Sequence, residues 1–105
     1  MLRNLGLQEG LSSMTIKEFT ETAIALYLEK GGKVHPDITL DIFNLIENNE
    51  NLLSDYNALK NNYSAINPTI GKSIRRYFDL ENDKSIDVVD QCSLIKNYKR
   101  FRWKS

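Results

Sequence analysis

Between Thr15 and Asp79 the apolar residues of this chain recur at helical spacing, in segments punctuated by capping residues, a glycine pair and prolines. The clearest start is Thr15-x-x-Glu18, a capping box in which each side chain satisfies an orphan amide of the first turn. Ile16, Phe19, Ala23, Leu26 and Tyr27 follow at helical spacing, and Gly31-Gly32 closes the segment because glycine enters the left-handed region cheaply. Pro36-Asp37 or Thr39 opens a second helix with Ile38, Ile42, Leu45 and Ile46 on one face. Asn48-Asn49-Glu50-Asn51 marks a break or kink, after which Leu52, Tyr56, Leu59 and Tyr63 continue the pattern. One long bent helix over 38–62 is the alternative to two shorter ones. Asn61-Asn62 and Ser64 signal a turn, and Asn67-Pro68 reads as an N-cap followed by a first-turn proline.

Beyond Asp79 the signals weaken. Leu80–Ser85 reads as a loop, and apolar residues at 86, 89, 92, 95 and 98 fit a last helix, with Ile86–Val89 as a short strand in the competing reading. The expected fold is therefore all-α: a single-domain bundle of four to five helices over residues 15–105. Residues 1–14 form a native arm or an expression remnant. At 41% hydrophobic and 27% charged the chain has the composition of a domain with its own core.

Charge is segregated along it. Residues 1–66 hold five Lys/Arg against nine Asp/Glu, whereas residues 67–105 hold nine against five. The final stretch QCSLIKNYKRFRWKS has no acid; Lys96, Lys99, Arg100, Arg102 and Lys104 alternate there with Tyr98, Phe101 and Trp103. A neutral protein with one basic end attracts a polyanion there without being adhesive everywhere.

The helix expected at 67–79 adds a second basic element. Successive residues advance about 100°, which gathers Ile70, Ile74, Tyr77 and Phe78 on one side. Lys72, Arg75 and Arg76 then fall roughly 160° away, with Thr69 and Ser73 beside them. Joined by a short turn to the helix before it, this segment resembles a generic helix-turn-helix over about 52–79. Such a resemblance implies DNA binding through Thr69, Lys72, Ser73, Arg75 and Arg76, with the basic run from Lys96 to Lys104 gripping the backbone. Gly71, inside that helix, costs about 1 kcal/mol relative to alanine and calls for a close neighbour, either another helix or a nucleic-acid backbone. The competing function is an all-α protein-interaction module without catalytic activity.

Other chemistry is thin. The lone His35 precedes a proline and reads as an ordinary loop residue; the lone Cys92 reads as a core residue on the apolar side of the last helix. Asp37 and Asp41 are four apart but lack a third ligand for a cation. No phosphate-cradling glycine loop is present. The expectation is accordingly a non-enzyme with no cofactor and no metal. A single cysteine, no apolar run of membrane-spanning length and no signal-peptide pattern at the start point to a cytoplasmic protein that does not meet the membrane.

Overall fold

A computed structural model describes residues 14–104. Its order is α1 (Ile16–Glu29), α2 (Ile38–Glu47), α3 (Glu50–Lys60), α4 (Ile66–Tyr77), β1 (Leu80–Asp87) and β2 (Asn97–Trp103). The arm expected over 1–14 lies, apart from Met14, outside the described residues; Met14 packs against the core.

The capping box at Thr15 and Glu18 forms in full, with reciprocal bonds of 2.9 and 3.0 Å. α1 ends as its glycines dictate, Gly31 standing at φ +91°. The next glycine has a different role. A Cβ on Gly32 would lie 2.5 Å from the Tyr27 ring, whose hydroxyl donates to the Lys33 carbonyl at 2.6 Å. The 38–62 segment is two helices: Asn49 caps α3 by accepting from the Leu52 amide at 2.9 Å. Asp37 occupies the N-cap position of α2 but makes no capping bond there.

The all-α expectation fails in the last third of the chain. Residues 80–87 and 97–103 form an antiparallel hairpin, making the fold a small mixed α and β domain and not a helical bundle. Its register pairs Leu80 with Trp103 and Asn82 with Phe101. It then shifts by one residue, so that Ser85 meets Lys99 and Asp87 meets Asn97, leaving a bulge in β1. The helical spacing of residues 86–98 misleads because β2 has no one-sided alternation. Tyr98 and Phe101 lie on opposite sides of an alternating strand, yet both are buried. Leu80–Ser85 is too polar to declare itself a strand, and its pairing with β2 supplies what its own residues lack. Asp79, at φ +56°, makes the turn that takes the chain from α4 into β1.

α4 packs chiefly on α1. The hairpin packs on α4 through both strands and on α2 through β2. The helix-turn-helix pairing of α3 with α4 is absent as a packed unit, since the two adjoin in sequence but scarcely touch. Asn67 is not the N-cap of α4, a position held by Ala65. As the second residue of the helix, it accepts from the Tyr56 hydroxyl at 2.6 Å and donates to the Leu94 carbonyl at 2.9 Å. It thereby ties α3, α4 and the 88–96 loop together. Cys92 is buried as expected, but in that loop and not on a helix.

Candidate functional site

Where the hairpin meets α4 it leaves a groove of about 610 Å³. Lys72 and Arg75, one turn apart, line the α4 wall, and Lys96 and Lys99 line the wall built by the start of β2. Thr39 and Phe43, four apart on α2, form part of its floor together with Ile95 and Phe101. Asn82 and Asn97 add amides from the two strands. Among the described residues no carboxylate lines it, and none of its four cations takes part in an ion pair. Four like charges facing one cleft repel one another, and an anion entering it relieves that repulsion.

The remaining basic residues expected at the site are placed elsewhere. Arg100 Nε donates to Asp37 Oδ1 at 3.1 Å, beside the Tyr98 hydroxyl, which donates to the same oxygen at 2.7 Å. Burial raises the cost of a charge at Asp37. The hydrogen bonds from Tyr98 and Arg100, with the charge of Arg100, outweigh that cost and hold its carboxyl below the usual range. The same contact, added to burial, pushes the Tyr98 phenol up to about 12. Arg102 pairs with its cross-strand neighbour Glu81 at 3.1 Å, and Lys104 with Asp79 at 2.5 Å. Three of the five basic residues in the C-terminal run therefore have carboxylate partners. Of its aromatics, Tyr98 and Phe101 belong to the core and Trp103 is exposed.

The basic row of α4 is also divided. Arg76, Thr69 and Ser73 border a second hollow of about 530 Å³ against Lys17 and Glu21 of α1; Lys72 stands on the ridge between the two. Thr69 directs its hydroxyl to the Ala65 carbonyl at 2.8 Å. Of the apolar side expected for this helix, Ile70 and Ile74 are fully buried, whereas Tyr77 is half exposed and packs edge-on to Phe78.

Two residues beside the groove are unusual. Thr39 is 2% exposed and its hydroxyl has no hydrogen-bond partner. Gly71 lines the α4 wall, and a Cβ built there would meet nothing within 4 Å, so no neighbouring helix accounts for the glycine. The sequence flagged Gly71 as costly; Thr39 and Phe43 gave no signal, because only the return of the hairpin over α2 makes them a floor.

His35 is more than a loop residue. Its Nε2 lies 2.6 Å from Asp41 Oδ2 and its Nδ1 accepts from the Asp37 amide at 3.2 Å, which knots the α1–α2 connection. With Nδ1 accepting, the ring proton belongs on Nε2, facing Asp41. Asp41 also accepts from the Tyr27 hydroxyl at 3.3 Å, so Asp37 and Asp41 serve separate structural contacts. At the C-terminal end of α2, Glu47 accepts from both the amide and the hydroxyl of Ser93. Those two bonds from Ser93, with one from Cys92, hold the Glu47 carboxyl below its usual range. Among the described residues no three His, Cys, Asp or Glu side chains gather as a metal site would require. No described helix is long and apolar enough to cross a membrane.

Comparison with known proteins returns no match, whether against family models, curated proteins or solved structures. The fold and the groove define the chain so far only as a small mixed domain with an unneutralised cationic cleft.

Proposed function

We propose that this protein binds nucleic acid through the groove between α4 and the hairpin. The observation behind the proposal is the convergence of Lys72, Arg75, Lys96 and Lys99 on one cleft that no described carboxylate enters. These residues come from segments more than twenty positions apart, and the fold brings them together while the other basic residues of the C-terminal run pair with Asp37, Glu81 and Asp79. Lysine and arginine on opposite walls can hold successive phosphates, and each phosphate bound releases condensed counterions. Arg102 and Lys104, exposed beside the same strand, extend the positive surface but must exchange a carboxylate for a phosphate to contribute.

The test is titration of fluorescein-labelled mixed-sequence DNA and RNA with the protein across a salt series. A complex that weakens steeply with salt supports the reading. Absence of any complex at 50 mM salt overturns it. Replacing Lys96 and Lys99 by alanine should weaken binding while leaving the melting temperature nearly unchanged, since both side chains are exposed and neither is ion-paired.

A further inference from the structure

The one tryptophan of the chain, Trp103, is 58% exposed, although a side chain of this size normally buries most of its surface. Its position ties it to the groove. The bulge lies in β1, so β2 alternates regularly and Trp103 shares a face with Asn97, Lys99 and Phe101, all of which line the groove. At about 3.3 Å per residue it stands roughly 13 Å along the strand from Lys99. Leu80–Trp103 is the next pair on that face after Asn82–Phe101, and the neighbouring Lys104 is bonded to Asp79. Trp103 therefore sits where α4 passes into β1, just past the groove residues Arg75 and Asn82.

We infer that Trp103 is a stacking platform for a base of a single-stranded nucleic acid whose phosphates lie in the groove. This rests on the nucleic-acid reading and narrows it. Four unpaired cations call for a polyanion, and nucleic acid is the polyanion that carries flat aromatic rings of its own. An exposed indole beside a cationic track offers a π-face that any base can cover. The other rings at the groove do not: Phe43, Tyr98 and Phe101 are buried in the core. A duplex can lay phosphates across Lys72, Arg75, Lys96 and Lys99, but its bases stay stacked on one another. A single strand has base faces to give, so it alone engages the cations and the indole together.

The experiment uses the full chain and unlabelled probes first, because Trp103 is its own reporter. A short mixed-sequence single strand, as DNA or as RNA, should quench the tryptophan emission on binding, and the matching duplex should quench it far less. With the labelled probes of the preceding titration, Trp103→Ala should weaken single-strand binding about five- to a hundredfold, the worth of one stacked base. It should leave the slope of log K against log salt unchanged, since the indole carries no charge. Trp103→Phe, which keeps a smaller ring at the same position, should recover part of the loss. Emission unchanged at saturation with both strands, or wild-type affinity in Trp103→Ala, overturns the stacking role while leaving phosphate binding intact. A reduced salt slope in Trp103→Ala with no recovery in Trp103→Phe also overturns it, because the strand and its lysines would then have moved. Emission that shifts to the blue on vesicles of equal phosphatidylcholine and phosphatidylserine, but responds to no strand, assigns the residue to a membrane surface instead. No binding of any nucleic-acid probe at about 50 mM salt overturns both this inference and the reading beneath it.

Discussion

Asp37 fastens the C-terminal strand to the rest of the molecule, and its removal should be felt far beyond the first turn of α2. In the wild-type protein Asp37 Oδ1 accepts from the Tyr98 hydroxyl at 2.7 Å and from Arg100 Nε at 3.1 Å. Hydrogen bonds to a charged group are worth about 1.5–3 kcal/mol when well shielded. Here the side chains of Asp37 and Arg100 remain 36% and 38% exposed, so solvent screening reduces the two bonds to about 1 kcal/mol each. Asp37→Ala also strands the hydroxyl of Tyr98, a residue only 8% exposed, which adds roughly another 1 kcal/mol. The expected loss is therefore about 3 kcal/mol at neutral pH, a fall in Tm of more than about 10 °C for a domain of this size. Urea denaturation should show a lower midpoint with little change in slope. Tyr98→Phe removes the stranded hydroxyl, and both single variants lose the Tyr98–Asp37 bond, so the double variant should be less damaged than the sum of the singles by about 2 kcal/mol. Because the Asp37 carboxyl is held below its ordinary value of 3.8, its contribution is complete above that pH and disappears as pH falls through the folded value. Wild type and Asp37→Ala should accordingly converge in strong acid. A loss below about 0.5 kcal/mol, or strict additivity with Tyr98→Phe, would refute the clasp.

Four further outcomes follow from the same geometry. The Tyr98 phenol, raised by burial and by Asp37 from 10.0 to about 12, contributes stability that is complete below pH 10 and is lost as pH rises through about 12; alkaline denaturation monitored by circular dichroism should show this loss, and Tyr98→Phe should abolish that component. Gly71→Ala should stabilise the protein by about 0.5–1 kcal/mol in urea, because the new methyl meets no atom and the helix gains propensity; a loss of stability would mean the wall is closed. Gly32→Ala should cost about 1–3 kcal/mol, since its Cβ would press on a Tyr27 ring anchored at both the amide and the carbonyl of Lys33. Cys92, whose thiol burial pushes up, should react with a disulfide reagent in the native protein far more slowly than after denaturation, and equal rates would contradict its burial.

The helical two thirds of the fold were legible because their signals are local. The Thr15–Glu18 box, the Gly31 turn and the Ile70–Ile74 pair are each decided within a few residues of sequence. The hairpin was not, because its evidence is spread over two segments that mean little apart. Leu80–Ser85 becomes a strand only when Asn97–Trp103 lies beside it, and the bulge conceals the register. Asp37 was legible only as part of a helix start, whereas its carboxylate turns to partners more than sixty residues away. At the candidate site the sequence put the excess of positive charge in the last third of the chain but could not say which charges were already matched. Ion pairs to Asp37, Glu81 and Asp79 remove Arg100, Arg102 and Lys104 from the unpaired set, and those acids lie on other elements or in the turn before β1.

The most direct measurement is the salt slope of single-strand binding for the wild-type protein and for the Lys96→Ala/Lys99→Ala variant. Four phosphates neutralised by Lys72, Arg75, Lys96 and Lys99 give a slope of about −3 in log K against log salt, roughly a fiftyfold loss between 50 and 200 mM. Removing two of the four should halve that slope. A wild-type slope near zero, or a variant slope equal to that of the wild type, would show that the groove does not hold the phosphates.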